Sequence, residues 1–180
     1  MLTEKSHIMD ENAVNRTLIR MSHEIVEKND DCDNICLIGI QRRGVPLAQR
    51  IAENIRSFSD VCVQVGSLDI TLYRDDLKTV QVDPILNGTK IDFSIKDKTV
   101  VLVDDVIFTG RTVRAAMDAL MEHDRPKRIQ LAVLIDRGHR ELPIRGDFVG
   151  KNLPTSRKEV VGVSVPEIDG TMGVSIYNEV

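Results

Sequence analysis

Asp104 and Asp105 stand side by side after an apolar run, Val100-Val101-Leu102-Val103, and Thr109-Gly110-Arg111-Thr112 follows a short step later. Paired carboxylates repel phosphate but accept hydrogen bonds readily, which suits them to sugar hydroxyls. Thr109 and Thr112 supply hydroxyl donors, and Gly110 lets backbone approach a ligand closely. A helix-forming segment then runs through Val113, Ala115, Ala116, Leu120 and Met121. Unpaired N–H groups at a helix start, with the positive end of the helix dipole, hold an anion such as phosphate. Strand, loop and helix start together read as a site for a phosphorylated ribose. The plain structural alternative is a capped helix beside a solvated carboxylate pair.

A second strand-to-loop-to-helix unit lies upstream. Residues 35–40 are too short and too apolar for anything but a buried strand. They deliver Gln41-Arg42-Arg43-Gly44 to a helix that has Pro46 in its first turn, where a missing N–H costs nothing. Arginine's planar donors fork onto phosphate oxygens. On its own this loop reads equally as an ordinary strand-to-helix turn.

The stretch from Val100 to Val113 resembles the phosphoribosyl-pyrophosphate (PRPP) motif of the type I phosphoribosyltransferases, in which hydrophobic residues precede two acids and a Thr-Gly-x-Thr loop. The resemblance implies an α/β fold with a mainly parallel central sheet flanked by helices, a small hood and a flexible catalytic loop. It further implies that Gln41, Arg42 and Arg43 bind pyrophosphate and that the Gln41–Arg42 peptide is cis. Residues 71–98, which show no sustained period, correspond to the catalytic loop that closes over PRPP and excludes water. There Arg74 is the expected lid contact to pyrophosphate, and Tyr73 has a packing role. Asp104 and Asp105 would serve the ribose hydroxyls near the developing positive charge. Val106, Ile107, Phe108, Thr109, Gly110, Arg111 and Thr112 would hold the nucleotide's ribose-phosphate. Arg137 and the strand containing Val161 would meet the base. Mg²⁺ is expected to arrive with PRPP, held mostly by substrate and water, with no metal held mainly by protein.

Longer segments narrow the likeness. Asp-Ile-Thr-Leu-Tyr-Arg-Asp-Asp from 69, Asp-Arg-Gly-His-Arg-Glu-Leu-Pro-Ile-Arg from 136 and Gly-Lys-Asn-Leu-Pro-Thr-Ser from 150 are similar to the bacterial pyrimidine-operon attenuation regulators that also act as uracil phosphoribosyltransferases. That resemblance implies conversion of uracil and PRPP to UMP and diphosphate, and binding of a leader mRNA hairpin when UMP or UTP is bound. In the resembled 6-oxopurine enzymes an acid precedes the Thr-Gly loop, whereas Phe108 stands here. This disfavours a purine-salvage enzyme. Phe108 either packs beside a flat base or turns into the core. A salvage phosphoribosyltransferase without RNA binding is the alternative function.

The elements that must position these residues are legible from periodicity. Asp10 caps a helix running to about residue 29, with Val14, Leu18, Met21 and Ile25 on one stripe and Arg16, Arg20, His23 and Glu27 on another. Leu47, Ile51, Ile55 and Phe58 give the next helix its apolar face. Residues 61–70 and 129–135 read as further strands, and 160–165 and 174–177 as two closing strands. Strands alternating with helices predict a parallel sheet with ligands at the carboxyl ends of its strands, so both loops can face one pocket.

A chain of 180 residues predicts one domain over 1–180. No membrane-length apolar run and no signal-peptide pattern are visible, which predicts a cytoplasmic protein without membrane partners. Cys32, Cys36 and Cys62 match no common zinc spacing and read as core or near-core thiols. A net charge of −4 argues against nonspecific nucleic-acid binding over the whole surface. Residues 137–158 nevertheless hold six Arg or Lys against Glu141 and Asp147. Arg20, His23, His139, Arg145, Lys151 and Thr155 are the RNA-binding candidates, with solubility or subunit packing as the plain alternative. Aromatic residues are 3% of the chain, so phosphates and polar loop edges are better RNA targets than stacked bases. The resemblance suggests a homodimer or homotetramer.

Overall fold

The structure, a computed structural model, describes residues 2–30, 32–71 and 88–179. Tyr73 and Arg74, with most of the expected lid, lie outside the described residues. The elements in order are β1 (Leu2–Met9), α1 (Glu11–Lys28), β2 (Ile35–Ile40), α2 (Gly44–Ser59), β3 (Gln64–Leu68), β4 (Thr99–Ile107), α3 (Arg111–His123), β5 (Arg128–Asp136), β6 (Phe148–Asn152), β7 (Glu159–Ser164), α4 (Pro166–Asp169) and β8 (Gly173–Glu179).

Five strands form a parallel sheet in the order β3-β2-β4-β5-β6. Its central strands are unbroken apolar runs because both faces are covered. Alternate residues of β2 and β4 point to opposite sides: Leu37, Val101 and Val103 meet α1 and α2, while Ile38, Val100 and Leu102 meet α3. The predicted stripe of α1 is buried throughout, and Asp10 Oδ1 accepts from Ala13 N at 2.7 Å to cap it. The second sheet, β1-β8-β7, is antiparallel and forms the small hood. Its Val161, Val163, Val165 and Val174 join the same apolar cluster as α1 and α2.

Two features differ from what periodicity indicates. The polar start of the chain is the strand β1, an exposed hood edge of which only Met9 is fully buried. Register shifts between Glu4 and Ser6 and between His7 and Met9 break the two-residue alternation that would have marked it. Phe58 does not sit in the core; it is 38% exposed and stacks on His23 at 3.8 Å between ring centroids.

The two motif loops are fixed against one another by a close backbone approach. A Cβ on Gly44 would lie 2.3 Å from the carbonyl oxygen of Val103 and 3.3 Å from Asp104 Cα. No side chain fits between the start of α2 and the end of β4. Gly44→Ala should therefore cost about 2 kcal/mol or more, as overpacking against backbone does. That corresponds to a melting temperature lower by about 4–8 °C in a chain of this size, measurable by circular dichroism. An unchanged melting temperature would show that the two loops are not held by this contact.

Candidate active site

The carboxyl ends of β2, β3 and β4 open into one cavity of about 520 Å³, lined by Gln41, Arg42, Arg43, Asp69, Asp104 and Asp105 among others. A neighbouring hollow of about 290 Å³ is formed by residues 106–113 and shares Val106 and Thr112 with the larger one. The predicted meeting of the arginine and aspartate loops is therefore present. Asp69, at the end of β3, was not singled out from the sequence. Its Oδ1 accepts from Thr71 N at 2.9 Å and Thr71 Oγ1 at 2.6 Å. Its position follows only from β3 being the parallel neighbour of β2.

Asp104 and Asp105 are held by the strand's own backbone. Asp104 Oδ1 accepts from Asp105 N, and Asp105 Oδ1 accepts from Val106 N, each at 2.9 Å. Asp104 is 7% exposed. Burial, reinforced by the neighbouring Asp105 carboxylate, pushes its pKa well above the ordinary carboxylate range. Gly110 precedes α3 in the left-handed region at φ 92°, a conformation that favours glycine, and the Thr109–Thr112 loop lines the smaller hollow. Arg111 lies at the first position of α3 and pairs with Glu141, its Nε and Nη2 donating to Oε2 at 3.2 and 3.1 Å.

The Gln41–Arg42 peptide is cis, as the resemblance implied. Gln41 Nε2 donates to Gly88 O. The two arginines then diverge. Arg42 is exposed at the cavity. Arg43 donates from Nε and Nη2 to the two oxygens of Asp169 at 3.2 and 2.8 Å. This pair strengthens the protonation of Arg43 and lowers the pKa of Asp169.

Phe108 is half-buried beneath Arg137, whose guanidinium carbon lies 4.0 Å from the ring centroid. His139 meets the same ring edge-on at 5.8 Å. Arg137 is 6% exposed and spends its donors on Thr155 Oγ1 at 3.2 Å, Ser156 O at 3.0 Å and Glu159 O at 2.7 Å. It backs Phe108 and ties down the loop before β7. The Val161 side chain is buried in the core, which leaves its backbone as the group able to meet a base.

The RNA candidates fall into groups. Arg20 on α1 donates to Gly150 O and Glu24, which sets it beside Lys151 on β6. His23, one turn further along α1, is engaged with Phe58. His139 bonds Thr155 O, so these two share the loop under Phe108. Arg145 is exposed between β5 and β6.

Residues 5–168 match the family described as the phosphoribosyl transferase domain. A bifunctional protein PyrR of Acetivibrio thermocellus is 64% identical over 175 residues, covering 97% of this chain and 95% of that protein. One of Clostridium novyi is 60% identical, covering 97% and 98%. The chain belongs to the PyrR family of phosphoribosyltransferases. The fold extends further: a hypoxanthine-guanine phosphoribosyltransferase of Bacillus anthracis superposes with a TM-score of 0.73 at 18% identity, over 96% of this chain and 98% of that one. The hypoxanthine phosphoribosyltransferase of Trypanosoma cruzi gives 0.72 at 15% identity, over 98% of each chain.

The raised pKa of Asp104 has a signed consequence. The folded state binds its proton more tightly than the unfolded chain does, so the group favours folding below the ordinary aspartate pKa and this support is lost as pH rises through the folded value. Asp104→Asn should raise the melting temperature at neutral pH. The gain should vanish below about pH 4, where the wild-type carboxyl is neutral in both states. A variant less stable than wild type at neutral pH would contradict a carboxyl whose pKa is raised by burial.

Proposed function

We propose that this PyrR-family chain, acting in the cytoplasm as a single domain, transfers the phosphoribosyl group of PRPP to uracil and binds a pyrimidine leader mRNA hairpin in response to UMP or UTP. The observation that carries the transferase reading is the common cavity at which the Asp104/Asp105 and Arg42/Arg43 loops meet. Thr109, Thr112 and the N–H groups opening α3 cradle the 5′-phosphate. Asp104 and Asp105 accept from the ribose hydroxyls. Arg42 and Arg43 neutralise the departing pyrophosphate, and Gln41 braces their loop through Gly88. Transfer passes through a sugar with positive charge at its anomeric carbon, so the work of the site is alignment and charge stabilisation, with no protein nucleophile. Phe108, backed by Arg137, offers a flat apolar wall for a pyrimidine.

The residues also fit Mg²⁺ carried by its substrate. The carboxylates at the cavity, Asp69, Asp104 and Asp105, are hard oxygen donors of the kind this ion takes. Bound with PRPP, the ion would neutralise pyrophosphate charge, with Asp104 and Asp105 facing it from the ribose side.

For RNA, the supporting observation is the bond from Arg20 to Gly150, which joins the basic stripe of α1 to the basic segment around Lys151 across 130 residues of sequence. A homodimer or homotetramer would enlarge that face. The regulatory link runs through Phe108: its partner Arg137 holds Thr155, Ser156 and Glu159, so the nucleotide loop and the basic loop share one side-chain contact.

Two experiments separate the activities. Asp104→Asn combined with Asp105→Asn should lower UMP synthesis by about 100-fold or more, the scale of losing preorganised charge stabilisation. Normal synthesis would remove these residues from the mechanism. Arg145→Ala with Lys151→Ala should leave UMP synthesis intact, weaken hairpin binding in a gel shift with UMP present, and reduce the salt slope by about one unit per lost phosphate contact. Unchanged RNA affinity would overturn the proposed face. No hairpin binding by the wild type, with or without UMP, would leave the salvage-enzyme reading.

A further inference from the structure

Arg43 and Asp169 are 126 residues apart in sequence, yet they form the only fork-on-fork ion pair that reaches the cavity among the described residues. The geometry of that pair is selective. A guanidinium has two edges able to grip an oxyanion: the side edge of Nε and Nη2, and the end of Nη1 and Nη2. Asp169 takes the side edge at 3.2 and 2.8 Å and leaves the end edge, where Nη1 has no hydrogen-bond partner among the described residues. The carboxylate is itself fixed, because Asp169 Oδ2 also accepts from Val165 N at 2.9 Å. Two residues earlier in α4, Glu167 accepts from Arg50 Nη1 of α2 at 2.6 Å, so the hood helix is tied both to α2 and to Arg43, the N-cap residue of α2.

We infer that Asp169 is a positioning residue for phosphoribosyl transfer: it clamps the side edge of Arg43 so that the free end edge is presented to pyrophosphate. This rests on the transferase reading above. Two physical effects of Asp169 on an anionic ligand have opposite signs, which makes the inference decidable. As a bare negative charge near the cavity, Asp169 weakens anion binding, and its removal would tighten it. As a clamp, it fixes a long, flexible side chain that pyrophosphate would otherwise have to order at binding, and its removal weakens binding. The bidentate geometry and the second hold on the carboxylate favour the clamp.

The test is Asp169→Asn in the full chain. Initial rates at varied PRPP would be combined with calorimetric titration of inorganic pyrophosphate and with product inhibition by UMP. The PRPP KM and the pyrophosphate Kd should each rise about fivefold, an effect of one immobilised side chain, with kcat changed less than twofold. Inhibition by UMP, which lacks the pyrophosphate group, should be unchanged, which also reports an intact fold. Asp169→Glu, which keeps the fork, should recover part of the loss. In an Arg43→Lys background, where no fork exists to be clamped, Asp169→Asn should no longer weaken pyrophosphate binding. A KM and Kd that fall or stay constant in Asp169→Asn overturn the inference while leaving the transferase intact. A wild-type protein that neither binds pyrophosphate nor forms UMP overturns the transferase reading and the clamp with it.

Discussion

Everything at the site depends on β2 and β4 being hydrogen-bonded parallel neighbours. Their register, from Ile35 opposite Thr99 to Gly39 opposite Val103, brings the end of β2 level with the Asp104–Asp105 pair of β4. The loop after β2 carries two cations, and the last residues of β4 include two carboxyls. The pairing puts them across one cavity from each other, and the absence of a side chain at Gly44 lets the loop lie on the backbone of β4. Parallel strands need crossovers, and here α2 with β3 and the segment that follows supply the one between β2 and β4. The site is thus assembled from pieces some sixty residues apart in sequence by an ordinary consequence of sheet topology.

The parts legible in the sequence are those where a local rule acts alone. The buried strands, the cap at Asp10, the stripe of α1 and the two motif loops all follow from periodicity and residue chemistry. The parts that escaped are set by tertiary neighbours. The edge strand β1 needs only one hood face and is bulged, so its alternation is lost. Phe58 keeps the spacing of a core residue but lies where α2 meets the flank of α1, and His23 rather than the core covers it. Arg43 looks interchangeable with Arg42, and nothing in the sequence near either marks Asp169, because that pairing arises only when the hood folds down on α2. Arg137 is expected from the sequence to meet the base, and no sequence signal marks that its Nε and Nη2 also donate to a hydroxyl and two carbonyls 18 to 22 residues later.

Charge on this acidic chain is arranged rather than scattered. Lys28 pairs with Asp147, Arg111 with Glu141, Arg140 with Asp136 and Lys5 with Glu159. Such half-exposed pairs add little stability individually, but they remove those cations from competition for polyanions. Exposed cations such as Arg42 at the cavity, and Arg145 and Lys151 on the flank of β6, are then the ones with charge to offer. A net charge of −4 restrains nonspecific attachment, so binding depends on where these few positive groups converge.

A nucleotide can alter affinity for RNA only if it binds differently to two arrangements of something both ligands touch. The contact of Arg137 with Phe108 joins the Thr109 loop to the loop that carries Thr155. One face of the guanidinium lies on a residue of the nucleotide loop, and its donors hold the loop that carries Thr155, with His139 bonded to the carbonyl of the same residue. Because Arg137 is buried, its hydrogen bonds are costly to break singly. The ring, the guanidinium and the loop are therefore held to one another. Linkage then makes the coupling reciprocal: an arrangement of this loop preferred by the RNA is also one in which the pocket holds its nucleotide more tightly, by the same factor.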